Sequence, residues 1–364
     1  MLILYITYID FGAAASGSGV RPQNMYRAFL EEGHEIKLLS GQQGNWNDHR
    51  ARSKAVAEIS RWLDTHRPDI CYVESPVYPI MWRCDRELIR KVHRMGIPMG
   101  YFYRDFYRKF PKQFPNRKDP AGAAKDFVLD CLQRLTDRTL ENMDIVYFPA
   151  VESFQLFNYK DMRTLPPGGE DYLDRCRPEE RRCIYVGGIV NQYAGEMMLR
   201  AFALLNAGQE RYPLTLVCRE REWAQIPPEL KSADWLEVRH VSGQELVPLM
   251  AKSSAGLLIG KKDEIFSYFE YTYSLKLFEY LGYGLPIVFV HNAPTDRFAR
   301  ENGMGIGTEC TPEDFARGVR ELFADPERFE LYRSNARKTL LEGNMWIHRA
   351  RQVVRELGEK RREK

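Results

Sequence analysis

The sequence predicts an α/β protein built from two doubly wound, Rossmann-like domains that face a cleft. Three observations lead there: short apolar stretches alternate with amphipathic ones, glycine turns follow the first stretch of each half, and the pattern restarts midway. Apolar strands alternating with amphipathic helices are the grammar of a parallel sheet with helices on both faces. At 364 residues the chain also exceeds one ordinary core.

In the first half, a strand over Leu2–Tyr8 runs into the glycine-rich stretch Gly12–Gly19 and a helix over Pro22–Glu32. Strands follow at Glu35–Leu39, Asp69–Val73, Pro98–Tyr103 and Asp144–Phe148, with helices near Ala51–His66, Asp85–Met95 and Ala121–Asn142 between them. The second half opens with a strand at Cys183–Val186, the turn Gly187-Gly188 and a helix over Gly195–Asn206. Strands at Leu214–Cys218, Leu236–His240, Ala255–Ile259 and Pro286–Val290 then alternate with helices near Gln244–Lys252 and Tyr273–Tyr283. Between the halves lies Leu165-Pro166-Pro167-Gly168-Gly169, where prolines stop a strand and glycines permit a turn. The expected divisions are 1–168, 169–340 and a helical, charged tail over 341–364. Open α/β sheets bind ligands at the carboxyl ends of their strands, so the site is expected there.

Composition narrows the function. With 44% hydrophobic, 12% aromatic and 28% charged residues, the chain reads as globular, and a net charge of +3 is too small for a whole-protein nucleic-acid signal. The seven cysteines are scattered and never spaced as Cys-x-x-Cys, which fits reduced thiols in a cytoplasmic protein. The opening Met1–Asp10 lacks a basic leader region and reads as a buried strand. No apolar run approaches the ~20 residues of a membrane span. The expectation is a soluble or peripheral protein, at most touching the inner face of a membrane.

Two motifs carry chemistry. After the first strand, Gly17-Ser18-Gly19-Val20-Arg21-Pro22 combines Gly-x-Gly with a helix start, which suits either an anion or a plain tight turn. In the second half, Leu275, Phe278 and Leu281 fall at helical spacing and suit a buried face. Glu279 stands among them, where an unpaired carboxylate is costly. Lys276 and Glu279 are either an i,i+3 surface pair or a ligand-holding pair on one helix.

The stretch Lys276–Val288, KLFEYLGYGLPIV, resembles the donor-site signature of glycosyltransferase family 4, retaining enzymes of the GT-B fold. Gly17–Gly19 with Gly33-His34-Glu35, the pair Arg104-Asp105, the linker Leu165–Gly169 and Tyr185-Val186-Gly187-Gly188 are similar to further landmarks of that family. The resemblance implies transfer of a sugar from a nucleotide-sugar, such as a UDP- or GDP-sugar, to a hydroxyl on a glycan or lipid-linked acceptor. It implies that Glu279 holds the donor ribose, and that Lys276 with the amides of Ser274 and Leu275 faces the diphosphate. Gly17, Gly19, Arg21, Gly187, Gly188, Ser242, Tyr271 and Tyr273 complete the donor-binding set, and Asp105 is the candidate to orient or deprotonate the acceptor, or else an ion-pair partner of Arg104 or Arg108. Two departures stand out. Tyr271 occupies the position of a glutamate that grips the sugar, with Glu270 beside it, and Gly188–Tyr193 lacks the Arg and Lys common after the glycine turn. The chain has no Asp-x-Asp, which fits metal-free chemistry without a cofactor. A catalytically silent nucleotide-sugar-binding protein and an epimerase of the same fold are the alternatives.

Between Arg83 and Lys118 basic residues outnumber acids and interleave with aromatics such as Tyr103, Phe106 and Phe110. That mixture is either a solvated helix face over core aromatics or a surface for an anionic membrane. Nucleic acid is not expected, since no recognised binding motif accompanies it.

Overall fold

The computed structural model describes residues 1–11, 17–43, 46–114, 120–261 and 267–363. The chain forms two compact units, one of residues 1–166 with 346–364 and the other of residues 167–345.

The first unit holds a parallel six-stranded sheet of β1 (Leu2–Ile6), β2 (Glu35–Leu39), β3 (Ile70–Glu74), β4 (Met99–Phe102), β5 (Ile145–Phe148) and β6 (Met162–Thr164), in the order β2-β1-β3-β4-β5-β6. β3, β4 and β5 are buried along their whole length, as continuous apolar strands must be when helices cover both faces. β6 was not expected. It is three residues long and only half-buried, so it has no apolar run to betray it.

The first helix spans Gly17–Glu31, so Gly17 and Gly19 lie inside its first turns and not in a loop before Pro22. The C-terminal helix Trp346–Glu363 is part of the first unit, not a separate tail beginning at residue 341. Ala350, Val353 and Leu357 form its fully buried stripe, and Gln352 donates to the Thr164 carbonyl at 2.8 Å. Arg351 clamps Glu32 through two bonds of 2.8 Å. The charges at Glu359–Lys360 and beyond conceal this apolar stripe in the sequence.

The second unit holds β7 (Cys183–Val186), β8 (Leu214–Val217), β9 (Leu236–Arg239), β10 (Ala255–Leu258), β11 (Ile287–Val290) and β12 (Gly305–Thr308), also parallel, ordered β12-β11-β10-β7-β8-β9. β12 and the helix Ala293–Asn302 before it are not among the elements expected from the sequence. The strand is Gly-Ile-Gly-Thr, with one apolar side chain to signal it. Counted within the unit, the order is that of dinucleotide-binding sheets, in which the chain moves first to one side of its opening strand and later to the other. Here the reversal falls between β7 and β10.

The two strands separate at that point. Their register covers only Ala255↔Cys183 and Gly256↔Ile184. Beyond it, the hydroxyl of Tyr280 fills the gap, accepting from the Val186 amide at 3.3 Å and donating to the Leu257 carbonyl at 3.1 Å. Tyr280 reaches this place because Gly256 has no side chain: a Cβ there would lie 2.3 Å from the tyrosine ring. Tyr280→Phe leaves a buried amide and carbonyl without this partner, and is expected to destabilise the protein by about 1–3 kcal/mol. Denaturant midpoints of the two proteins measure it, and an unchanged midpoint would refute the bridging role.

Candidate active site

The site grows out of the divergence of β7 and β10. After β7 the chain turns at Gly187-Gly188, with Gly187 at φ +136°, a conformation that L side chains rarely adopt. The turn is held to its neighbours: the Gly187 amide donates to the Val217 carbonyl at 2.8 Å, and the Lys261 amide to the Gln192 carbonyl at 2.9 Å. The loops leaving β7 and β10 therefore meet at the carboxyl end of the sheet, beside the end of β8.

Lys276 enters this end from the helix Leu275–Leu281, which follows β10. Its stem occupies the space a side chain at Gly187 would take, with Cε 2.4 Å and Nζ 2.9 Å from an ideal Cβ. The ammonium lies 5.1 Å from the ring centres of both Tyr185 and Tyr193. Tyr193 in turn packs on Gly188, where a Cβ would come within 2.5 Å of its ring. Burial lowers the Lys276 ammonium to about 8, although Glu279 and Glu222 oppose that shift. Glu279 is half-buried on the same helix; burial pushes its carboxyl above the usual range, Lys276 pulls it back, and Glu170 raises it further. Both side chains of the pair are half-buried.

The linker passes close by. The Tyr172 amide donates to the Gly282 carbonyl at 2.9 Å, and the Tyr172 hydroxyl bonds the Glu170 carboxylate. Ser274 is the residue before the helix, half-buried like Leu275.

The remaining donor candidates are placed differently. Tyr273 is buried against Phe278 and Phe298, and its hydroxyl takes a bond from Arg297 at 3.0 Å. Tyr271 ends a short 3-10 turn over Tyr268–Tyr271 and is partly exposed. Glu270, beside it, accepts the Ala293 amide at 2.9 Å with one carboxylate oxygen, at the start of the next helix. Ser242 is exposed beyond β9, the edge strand.

Gly17, Gly19, Arg21 and Asp105 belong to the first unit. Arg21 is not a phosphate ligand in this arrangement. It is buried, bonds Glu74 at 3.1 Å and the Pro166 carbonyl at 3.2 Å, and lies 3.4 Å from the Phe102 ring centre. A guanidinium so engaged is a core ion pair. Asp105 bonds its neighbour Arg104 at 2.7 Å, the ion-pair alternative raised by the sequence. The basic stretch is likewise largely committed: Arg83 pairs with Glu87, Lys91 with Asp64 and Arg108 with Asp130. Of its aromatics, Tyr103, Phe106 and Phe110 are buried and pack with Phe148 and Phe157, whereas Tyr107 and Phe114 are half-buried. Arg117 and Lys118 lie outside the described residues. Among the described residues no helix is long and apolar enough to cross a membrane.

Two residues at the site had no motif to mark them. Arg219 and Glu222 follow β8, and their only signal is polar sequence directly after an apolar strand.

Two Rossmann-like units, each with a parallel six-stranded sheet, are those of the GT-B fold. Residues 196–355 match the family model described as Glycosyl transferase-like, a span that includes Lys276 and Glu279. Sucrose-phosphate synthase from Thermosynechococcus elongatus superposes with a TM-score of 0.70 at 11% identity, covering 100% of both chains. Anabaena HepE in complex with UDP gives 0.63 at 10% identity over 99% of this chain and 100% of that one. WaaG, a glycosyltransferase involved in lipopolysaccharide biosynthesis, gives 0.60 at 14% identity over 97% and 99%. No curated protein matches the sequence.

Proposed function

We propose that the protein transfers a sugar from a nucleotide-sugar to a hydroxyl acceptor, with retention and without a metal ion. The observation that carries this reading is the placement of Lys276 over Gly187, at the strand-order reversal of the second unit, with Glu279 on the same short helix. A doubly wound sheet binds its ligand at that reversal. The chemistry fits a nucleoside diphosphate: an ammonium for the phosphates and a carboxylate for ribose hydroxyls. A structure of HepE with UDP-glucose supports a UDP-sugar as the donor class.

Transfer releases a nucleoside diphosphate, and negative charge builds on it as the glycosidic bond breaks. A preorganised ammonium at that position stabilises the departing group without reorganisation of solvent. The sequence supplies no Asp-x-Asp to hold a cation on the diphosphate, and Lys276 takes over that charge. A glycan or lipid-linked alcohol is the acceptor class.

The test is incubation with UDP- and GDP-sugars and alcohol acceptors in excess EDTA, with products resolved by mass and anomeric configuration by NMR. The expected result is EDTA-resistant transfer with the donor's configuration kept. Epimerised donor without acceptor, or activity lost in EDTA and restored by a divalent cation, would overturn it.

A further inference from the structure

We propose that Arg219 is a second phosphate-binding cation of the donor site, positioned by Glu222; this rests on the donor-site reading above. The loop after the glycine turn, Gly188-Ile189-Val190-Asn191-Gln192-Tyr193, carries no cation. The neighbouring strand supplies one. β8 pairs with β7 at Val186↔Val217, so Arg219 stands two residues past the ladder just as Gly188 does.

A single carboxylate ties the two loops together. Glu222 accepts from Arg219 Nη1 at 2.6 Å with one oxygen and from the Ile189 amide at 2.9 Å with the other. An ideal Cβ on Gly188 would lie 3.4 Å from that second oxygen. Tyr193, which covers Gly188 and stands beside the Lys276 ammonium, is within electrostatic reach of Arg219 as well. Lys276 thus lies against Gly187, and Glu222, which holds Arg219, lies against Gly188 of the same turn.

The exposures of the pair differ in an informative way. The Arg219 side chain is 65% exposed, whereas that of Glu222 is 8% exposed. An ordinary i,i+3 surface pair leaves both partners in water. Here the carboxylate is sunk beneath the glycine turn and the guanidinium is held at the surface by one nitrogen. Nε and Nη2 have no protein partner among the described residues. A planar fork with free donors matches two oxygens of a phosphate group better than an ammonium does. Arg219 and Lys276 together bring two cations to the turn for an anionic ligand.

The experiment is calorimetric titration of UDP and UMP into the parent, Arg219→Ala, Arg219→Lys, Glu279→Gln and the double variant Arg219→Ala/Glu222→Gln, with GDP and GMP as the second pair. Charged hydrogen bonds of this kind correspond to roughly a tenfold to hundredfold change in affinity. Arg219→Ala is expected to lose that much for the diphosphate and much less for the monophosphate, with a flatter salt dependence and partial recovery in Arg219→Lys. The exposed position lets the alanine variant fold, which thermal melting checks. The double variant keeps an acceptor for the Ile189 amide while removing the Glu222 charge. Full restoration of affinity there would show that only an unmasked carboxylate had been harmful, and would overturn the proposal. Unchanged diphosphate affinity in Arg219→Ala, alongside a loss in Glu279→Gln, would overturn it while leaving the donor site intact. A parent that binds neither UDP nor GDP would end both readings.

Discussion

Glu279→Gln is expected to weaken nucleoside-diphosphate binding by roughly tenfold to a hundredfold, the worth of hydrogen bonds to a charged acceptor. The glutamine keeps the shape but offers ribose hydroxyls a neutral oxygen and adds an N–H where only acceptors are wanted. Lys276→Ala is expected to act on a different quantity. The lysine matters most when the diphosphate departs, so turnover falls more than affinity. Its titration adds a signature. With the ammonium held near 8 in the free protein, affinity for the diphosphate falls as pH rises through 8. An anion bound beside the lysine favours its charged form, so binding above pH 8 takes up a proton and the calorimetric heat depends on the buffer's ionisation enthalpy. Lys276→Ala abolishes that dependence. The same depressed lysine makes folding stability rise with pH between about 8 and the ordinary lysine value, since the unfolded chain binds more protons there. Folded variants with the parent's affinity, turnover and proton uptake would remove both residues from the site.

The strand pattern of both units was legible because parallel strands buried on two faces must be continuous apolar runs, and β7 at Cys183–Val186 is one such run. The helix carrying Lys276 and Glu279 was legible because its stretch resembles a donor-site signature; of the buried face read from spacing, Phe278 and Leu281 are buried but Leu275 is half-buried, and Leu277 is buried instead. Arg21 shows where sequence reasoning fails. A basic residue after a glycine turn reads as a phosphate ligand, but its actual partners Glu74 and Pro166 lie 53 and 145 residues away, and no local pattern announces them. Arg219 fails in the opposite sense. It sits at the site only because β8 pairs with β7, and that pairing is a property of the sheet and not of the residues around 219. Glu270 was visible as a neighbour of Tyr271, yet which helix would claim its carboxylate depended on Ala293–Asn302, an element not expected from the sequence.

Gly187→Ala is expected to cost turnover far out of proportion to stability. At φ +136° an alanine strains the backbone by about 1–3 kcal/mol. The new methyl would also fall 2.4 Å from Cε and 2.9 Å from Nζ of Lys276. That side chain has free torsions, so it relieves the overlap by swinging away from Tyr185 and Tyr193 at little cost to folding. What it cannot keep is its place over the turn. Losing one preorganised donor to a developing anion costs roughly a hundredfold to a thousandfold in rate, and the displaced lysine is expected to produce a loss of that order. A double-mutant cycle with Lys276→Ala separates this account from general damage. If the methyl acts by evicting the lysine, then in the Lys276→Ala background it finds the space empty, and Gly187→Ala adds only the backbone strain to stability and little to the rate. Single-turnover rates and denaturant midpoints of the four proteins decide the matter. Rate losses that simply multiply would mean that the glycine serves the site independently of Lys276, and that its missing side chain is there for the ligand instead.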